Sequence, residues 1–266
     1  MLPISDRLPT RKAPIVTYAL IAVNVLAFLW VRSLITVGYP AQVLVLEWGL
    51  VPRRLLAAPL EGGTTIFTSM FLHDPSGWLH LGGNMLFLWI FGDNVEDALG
   101  RARYAAFYVL SGVAAAAAQI LIDPDSTVPM VGASGAISGV LAAYGSLYPR
   151  SPITVLNPIL PLWFLFGLFF ELPAWVIILE YFVVNLLNGL GSIGARGGGV
   201  AFFAHLGGFV AGLFLIRLLM IGRAAREHER WERLRSRPRP PPVDPWGHGG
   251  RGRRPDDPRR RGPWAS

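Results

Sequence analysis

Long apolar runs separated by short polar breaks set the pattern of this chain. The first extends from Pro14 to about Leu34 and holds no acid or base before Arg32. Its length suits the roughly 20 residues that an α-helix needs to cross a bilayer core. A second runs from about Trp78 to Phe91, behind the turn and helix-start signal Asp74-Pro75-Ser76-Gly77. A third, rich in alanine, covers about Tyr104 to Ile122 and ends at Asp123-Pro124-Asp125. The fourth is Val131 to Tyr148, stopped by Pro149-Arg150; the fifth is Pro173 to Leu190; the sixth is about Val200 to Ile221. Six predicted spans describe an all-α membrane bundle.

Other stretches read differently. Residues 35–70 mix apolar positions with Pro52, Arg53, Arg54, Glu61, Gly62 and Gly63. They are too interrupted to span and too apolar to be free in water. Short helices lying in the membrane interface are expected, with Trp48 as an anchor and the arginines facing head groups. Residues Asp93 to Arg103 read as a polar loop. Ser151–Leu172 is apolar, but Pro152, Pro158 and Pro161 leave no unbroken run long enough to cross, so it reads as a membrane-embedded or interfacial connector. Gly189–Gly199 reads as a glycine-rich loop. Three segments result: a basic cytoplasmic lead at 1–13, a membrane domain at 14–221, and a tail at 222–266. The tail is rich in arginine, proline and glycine. It is expected to be disordered after about two helical turns through Trp231.

Composition supports this class. Of 266 residues, 52% are hydrophobic and 15% charged, and the mean hydropathy is +0.43. That is too apolar for an ordinary soluble domain. The absence of cysteine excludes disulfides, a thiolate nucleophile, Cys-ligated zinc and iron–sulfur sites. The net charge of +7 comes almost wholly from arginines at the two ends and in short loops. This reads as membrane topology, not nucleic-acid binding, and places both termini in the cytoplasm. An even number of spans is then required, and six fits. The apolar run after Asp6–Lys12 is too long for a signal-peptide core. The tail arginines either contact anionic lipid, at about 1 kcal/mol each, or form a solvated segment that fixes orientation. Arg/Ala/Gly/Pro usage points to a bacterial plasma membrane.

Candidate chemistry centres on Met130–Gly139, MVGASGAISG. Ser134 is expected one turn into its helix, between Gly132 and Gly135. Gly135 and Gly139 share a face that lets another helix approach closely. A helix–helix contact is the plain reading of such a face. The wider pattern adds chemistry. His80 and Asn84 lie at i and i+4 near the start of the second span. His205 lies early in the sixth, three and seven residues before Gly208 and Gly212. With about 1.5 Å of rise per residue, His80, Ser134 and His205 reach one depth just below the outer surface. Ionisable groups within spans point to function. If the two glycine faces pack together, Ser134 and His205 meet as nucleophile and general base. No acidic residue is placed to orient the imidazole, so a dyad is expected. His80, Asn84 and the Ser134 N–H would receive the oxyanion; each such donor typically contributes roughly 2.7–4 kcal/mol to transition-state stabilisation.

These residues resemble the rhomboid family of intramembrane serine proteases. The resemblance covers about residues 14–221. It rests on His80-Leu-Gly-Gly-Asn84, Gly132-Ala133-Ser134-Gly135 and Ala204-His205-Leu-Gly-Gly208-Phe-Val-Ala-Gly212. It implies a six-helix rhomboid-like bundle with a membrane-lying first loop. It also implies a serine endopeptidase that cuts a peptide bond in or beside a transmembrane segment. Ser134 is then the nucleophile, His205 the base, and His80 and Asn84 the oxyanion partners. The Trp-Arg pair found in that loop in some members is absent from residues 35–70.

Other classes of protein make different demands on these residues. A non-catalytic protein of the same fold would bind or escort transmembrane helices. A transporter would show internal symmetry between halves, which is not found. A metal site would need His73, His80 and His205 to converge, without an HExxH helix, and no metal or other cofactor is implied. His73 reads as a loop histidine bonded to backbone, and Asn24 as a capping or interhelical residue. Asn185 and Asn188, near the outer end of the fifth span, read as residues that meet substrate or help gate its passage between spans two and five. Glu180 has no assigned role, and Arg217 snorkels. The partners expected are transmembrane protein substrates and membrane lipid.

Overall fold

The computed structural model describes residues 2–157, 167–192 and 201–221, with Glu229, Glu232 and Arg233 beyond them. Expectations for Pro158 and Pro161, most of the Gly189–Gly199 loop and nearly all of the 222–266 tail fall outside the described residues. In chain order, the elements begin with strand β1 (Leu2–Asp6) and helix α1 (Ile15–Thr36). Four short helices follow: α2 (Ala41–Trp48), α3 (Pro52–Ala57), α4 (Pro59–Gly62) and α5 (Thr65–Thr68). Then come α6 (Trp78–Leu99), α7 (Arg101–Ile122) and α8 (Ser134–Leu147). Strands β2 (Pro152–Leu156) and β3 (Phe169–Pro173) precede α9 (Ala174–Ser192) and α10 (Phe202–Leu219).

Polarity is distributed for life in lipid. Among the described residues four helices, α1, α7, α9 and α10, are long and apolar enough to cross a membrane. Leu26, Leu121, Leu187, Phe214 and Leu218 point outward and are exposed, while Thr17, Asn24, Asn84, Ser111, Ser138 and Asn185 are buried. A water-soluble bundle would reverse this arrangement. Here the outer apolar surface suits hydrocarbon, and Thr17, Ser138 and Asn185 hydrogen-bond from one helix to another. Helix α8 is the centre. Every residue from Gly135 to Tyr144 is buried, and α7, α10 and α6 pack around it. Its 14 residues make it about 21 Å long, shorter than the roughly 30 Å hydrocarbon core.

Contact between α8 and α10 depends on missing side chains. A methyl group at Gly208 would overlap the carbonyl of Gly135, and one at Gly212 would overlap the backbone of Gly139. The two faces therefore meet backbone to backbone, which is the geometry small residues permit in a membrane.

Two expectations need correction. First, the polar residues after Phe91 are not a loop: α6 continues to Leu99. Its last turns receive the start of α1, whose first residues have no capping side chain of their own. Buried Glu96 accepts hydrogen bonds from the N–H of Val16 (3.0 Å) and from the N–H (2.7 Å) and hydroxyl (2.9 Å) of Thr17. A carboxylate there satisfies orphan donors and opposes the positive end of the helix dipole. Asp97 pairs with Arg11 at 3.0 Å beside it. Charge looked like a loop signal; its cause is an interhelical cap.

Second, the bundle is not purely α. Strands β1, β2 and β3 form a small antiparallel sheet in that order. The lead at 1–13 is thus structured in part, and the ends of the Ser151–Leu172 connector pair with each other. Tyr144 donates to Asp6 at 2.6 Å, as does the Asn94 amide at 2.9 Å, so the sheet is tied to α8 and α6. Burial drives the Asp6 carboxyl upward from its ordinary 3.8 to about 6, against the lowering pull of the Tyr144 hydroxyl.

Residues 41–68 form the expected short helices. Arg54 has a local role in this segment. Its guanidinium bonds the carbonyls of Leu46, Glu47 and Gly49, closing the end of α2. Trp48 meets Trp30 of α1 edge to face, with ring centroids 5.5 Å apart.

Candidate active site

The backbone before α8 prepares the serine. Gly132 has φ of +123°, a conformation that favours glycine. Its N–H donates to Ser69 O at 2.9 Å, and Leu50 and Met130 exchange backbone hydrogen bonds of 3.0 and 2.8 Å. The approach to α8 is thereby held against the 41–68 segment. Ser134 is the first helical residue, with Ala133 as the cap, not one turn in as the apolar run suggested. The first N–H groups of α8 consequently lack intrahelical acceptors, and the helix dipole favours negative charge beside them.

Ser134 and His205 are brought together across the glycine contact. Ser134 Oγ lies 2.7 Å from His205 Nε2. The imidazole is held on its other side by Asn185, whose Oδ1 is 2.5 Å from His205 Nδ1. Asn185 Nδ2 donates to Tyr181 O at 2.8 Å. The Tyr181 ring lies 6.2 Å from the imidazole, and Phe202 meets it edge-on at 6.5 Å. Ser138 Oγ donates to Ser134 O at 2.7 Å and shares a 2.6 Å hydrogen bond with Tyr181 OH. Asn185 and Tyr181 lie one turn apart on α9, and their role beside the imidazole was missed. A polar pair at i and i+4 within an apolar helix was the available signal.

His80 stands across from the serine. A Cβ on Gly132 would come within 2.9 Å of His80 Nε2 and 3.6 Å of Ser134 Oγ. Gly132 thus leaves open the space between the two side chains. Asn84 is placed otherwise than expected. Its amide Nδ2 contacts His73 Nε2 and donates to His80 O, each at 3.1 Å, so it stands behind His80. His73 is fully buried and its Nδ1 lies 3.4 Å from Phe71 O, the loop-to-backbone arrangement read from its position. Asn188 is exposed. Among the described residues, no three metal-ligating side chains converge.

The pair opens onto a cavity of about 800 Å³, lined by His80, Gly132, Ser134 and His205 together with Met70, Gly112, Ala115 and Gln119. Small and apolar residues of α7 shape one wall. Val45 and Pro52 place the 41–68 segment at its edge.

Chemically, this is an alcohol hydrogen-bonded to an imidazole, beside free helix N–H groups and a second imidazole, inside a bundle with a lipid-suited exterior. Together with the four apolar helices of membrane-crossing length among the described residues, this marks an integral membrane protein. The family model of the rhomboid domain matches residues 61–222, and the chain belongs to the rhomboid family. It is 27% identical over 205 residues to Rhomboid protein 1, mitochondrial, of Saccharomyces cerevisiae, covering 74% of this chain and 51% of that protein. It is 31% identical over 174 residues to RHOMBOID-like protein 5 of Arabidopsis thaliana, covering 65% and 48%. A shorter stretch of 75 residues is 40% identical to Rhomboid-like protein 11, chloroplastic, of Arabidopsis thaliana, covering 28% and 26%. The chain spans about half the length of the first two relatives.

Proposed function

We propose that this protein is an intramembrane serine endopeptidase that cuts a peptide bond in or beside a transmembrane segment of a membrane-protein substrate. The observation that carries the reading is the 2.7 Å contact between Ser134 Oγ and His205 Nε2. In the proposed reaction Ser134 Oγ attacks the scissile carbonyl as its proton passes to Nε2. Charge on the carbonyl oxygen is met by the Ser134 N–H and His80; Asn84 joins them by turning its amide away from His73. The imidazolium returns its proton to the leaving amine, leaving an ester on Ser134. Water entering the cavity attacks that ester, His205 takes its proton, and the acid product departs with the serine restored. A scissile bond must be unwound to reach the serine, because a helical backbone buries its carbonyls in hydrogen bonds.

In this reading α6 and α8 join the four more apolar helices as spans, the 41–68 segment lies in the membrane interface, and both termini face the cytoplasm. Residues 14–221 are the membrane domain, flanked by the lead at 1–13 and the tail at 222–266. A bacterial plasma membrane is the proposed location, and lipid and transmembrane substrates are the proposed partners. The test is cleavage of a transmembrane substrate by purified protein in detergent. Wild type should cut; Ser134→Ala and His205→Ala should not. Equal cleavage by all three would end the protease reading, and binding without cleavage by any of them would favour a helix escort.

A further inference from the structure

Resting on the protease reading, we infer that Asn185 is the third member of the site: a positioning residue that fixes the tautomer and orientation of His205. General-base attack needs an unprotonated Nε2 facing the serine, so the ring proton must sit on Nδ1. A neutral imidazole free to choose would populate both tautomers, and half-turn flips of the ring would put a carbon where each nitrogen had been. Asn185 removes that freedom. Its own amide cannot turn without loss, because Nδ2 donates to Tyr181 O at 2.8 Å, one turn back on α9. The remaining atom, Oδ1, is only an acceptor and lies 2.5 Å from His205 Nδ1. A protonated Nδ1 satisfies both groups; an unprotonated one sets two lone pairs against each other in a buried site. The hydrogen on Nδ1 leaves Nε2 as the acceptor of the Ser134 hydroxyl at 2.7 Å.

The surrounding residues enforce the same geometry. Tyr181 lies against the imidazole face, and its hydroxyl is held by Ser138, whose Oγ in turn bonds Ser134 O. Asn185, Tyr181, Ser138, Ser134 and His205 therefore form a closed ring of contacts joining α9, α8 and α10. Asparagine does this without placing a charge in the bundle, where an ionised carboxylate would be costly. The serine and histidine are thus two parts of a Ser-His-Asn triad.

The test compares Asn185→Leu, similar in size but without an acceptor, with Asn185→Asp, which restores one. Steady-state cleavage of a transmembrane substrate in proteoliposomes should show kcat reduced roughly tenfold or more in Asn185→Leu with KM little changed, and substantial recovery in Asn185→Asp. Nitrogen-15 NMR of histidine in the purified protein reads the tautomer without requiring proteolysis. His205 should carry its proton on Nδ1 in the wild type and show mixed tautomers in Asn185→Leu. Should the wild type fail to cleave but keep the Nδ1–H tautomer in an Asn185-dependent way, the positioning role stands and the protease reading fails. A wild-type proton on Nε2, or an Asn185→Leu protein with unchanged kcat and tautomer, overturns the proposal. If the leucine variant does not fold, Asn185→Ala, which also lacks an acceptor, decides by the same two measurements.

Discussion

Gly208 packs against the carbonyl of Gly135 so closely that a single methyl group on Gly208 would overlap it. This contact joins α10 to α8 at the level where His205 meets Ser134, three residues from Gly208 and one from Gly135. Separation of the helices would lengthen the 2.7 Å Ser134–His205 hydrogen bond. Gly208→Val is expected to destabilise the protein by about 1–3 kcal/mol through overpacking. Its cleavage rate should fall further than the folded fraction accounts for. Thermal unfolding in detergent alongside single-turnover cleavage checks this, and unchanged values of both would remove the contact from the account.

Gly132 makes a second prediction. Its φ of +123° disfavours any other residue, at a cost of roughly 1–3 kcal/mol. A Cβ there also stands 2.9 Å from His80 Nε2, in the space proposed for the oxyanion. Gly132→Ala should lower kcat strongly even in the protein that remains folded. Measuring kcat per folded molecule separates the two effects; full activity would place the oxyanion elsewhere.

Glu96 acts on folding, far from the serine. It accepts three hydrogen bonds from Val16 and Thr17 while buried. Glu96→Ala should cost about 1–3 kcal/mol, the penalty of leaving buried donors unmet. Glu96→Gln should recover part of the loss. Activity per folded molecule should stay near wild type, and unfolding midpoints of the two variants provide the check.

Asp6 gives the sheet a pH dependence of definite sign. Its folded pKa, about 6, is above its ordinary 3.8, so the folded state holds the proton more tightly. The resulting stabilisation is fully present below the ordinary value and is lost as pH rises through about 6. Relative to Asp6→Asn, wild type should therefore lose stability between about pH 4 and pH 7. Melting curves across that range test it; a difference that stays flat or grows in the opposite direction contradicts the burial argument.

Apolar length made α1, α7, α9 and α10 readable, because a span needs only composition and extent. Gly135, Gly139, Gly208 and Gly212 made the α8–α10 contact readable, because small residues at four-residue spacing announce close backbone approach. The failures share a different cause. Leu2–Asp6 and Pro152–Leu156 pair across most of the chain, and five-residue strands hold little local signal of a distant partner. Glu96 and Asp97 looked solvated because their partners, Val16, Thr17 and Arg11, lie far away in sequence. Asn185 could be assigned a depth but not a direction, since only the packing of α9 on α10 aims it at His205. Asn84 lay on the expected face, yet its amide hydrogens found His73 and His80 O.

The central claim is that His205 activates the Ser134 hydroxyl. Its most direct test is covalent labelling of the purified protein with a serine-reactive fluorophosphonate, with the adduct mapped by mass spectrometry. The account predicts one dominant adduct on Ser134, abolished in Ser134→Ala and reduced to background in His205→Ala. Labelling that falls on another residue, or that proceeds at an undiminished rate without the imidazole, would contradict it.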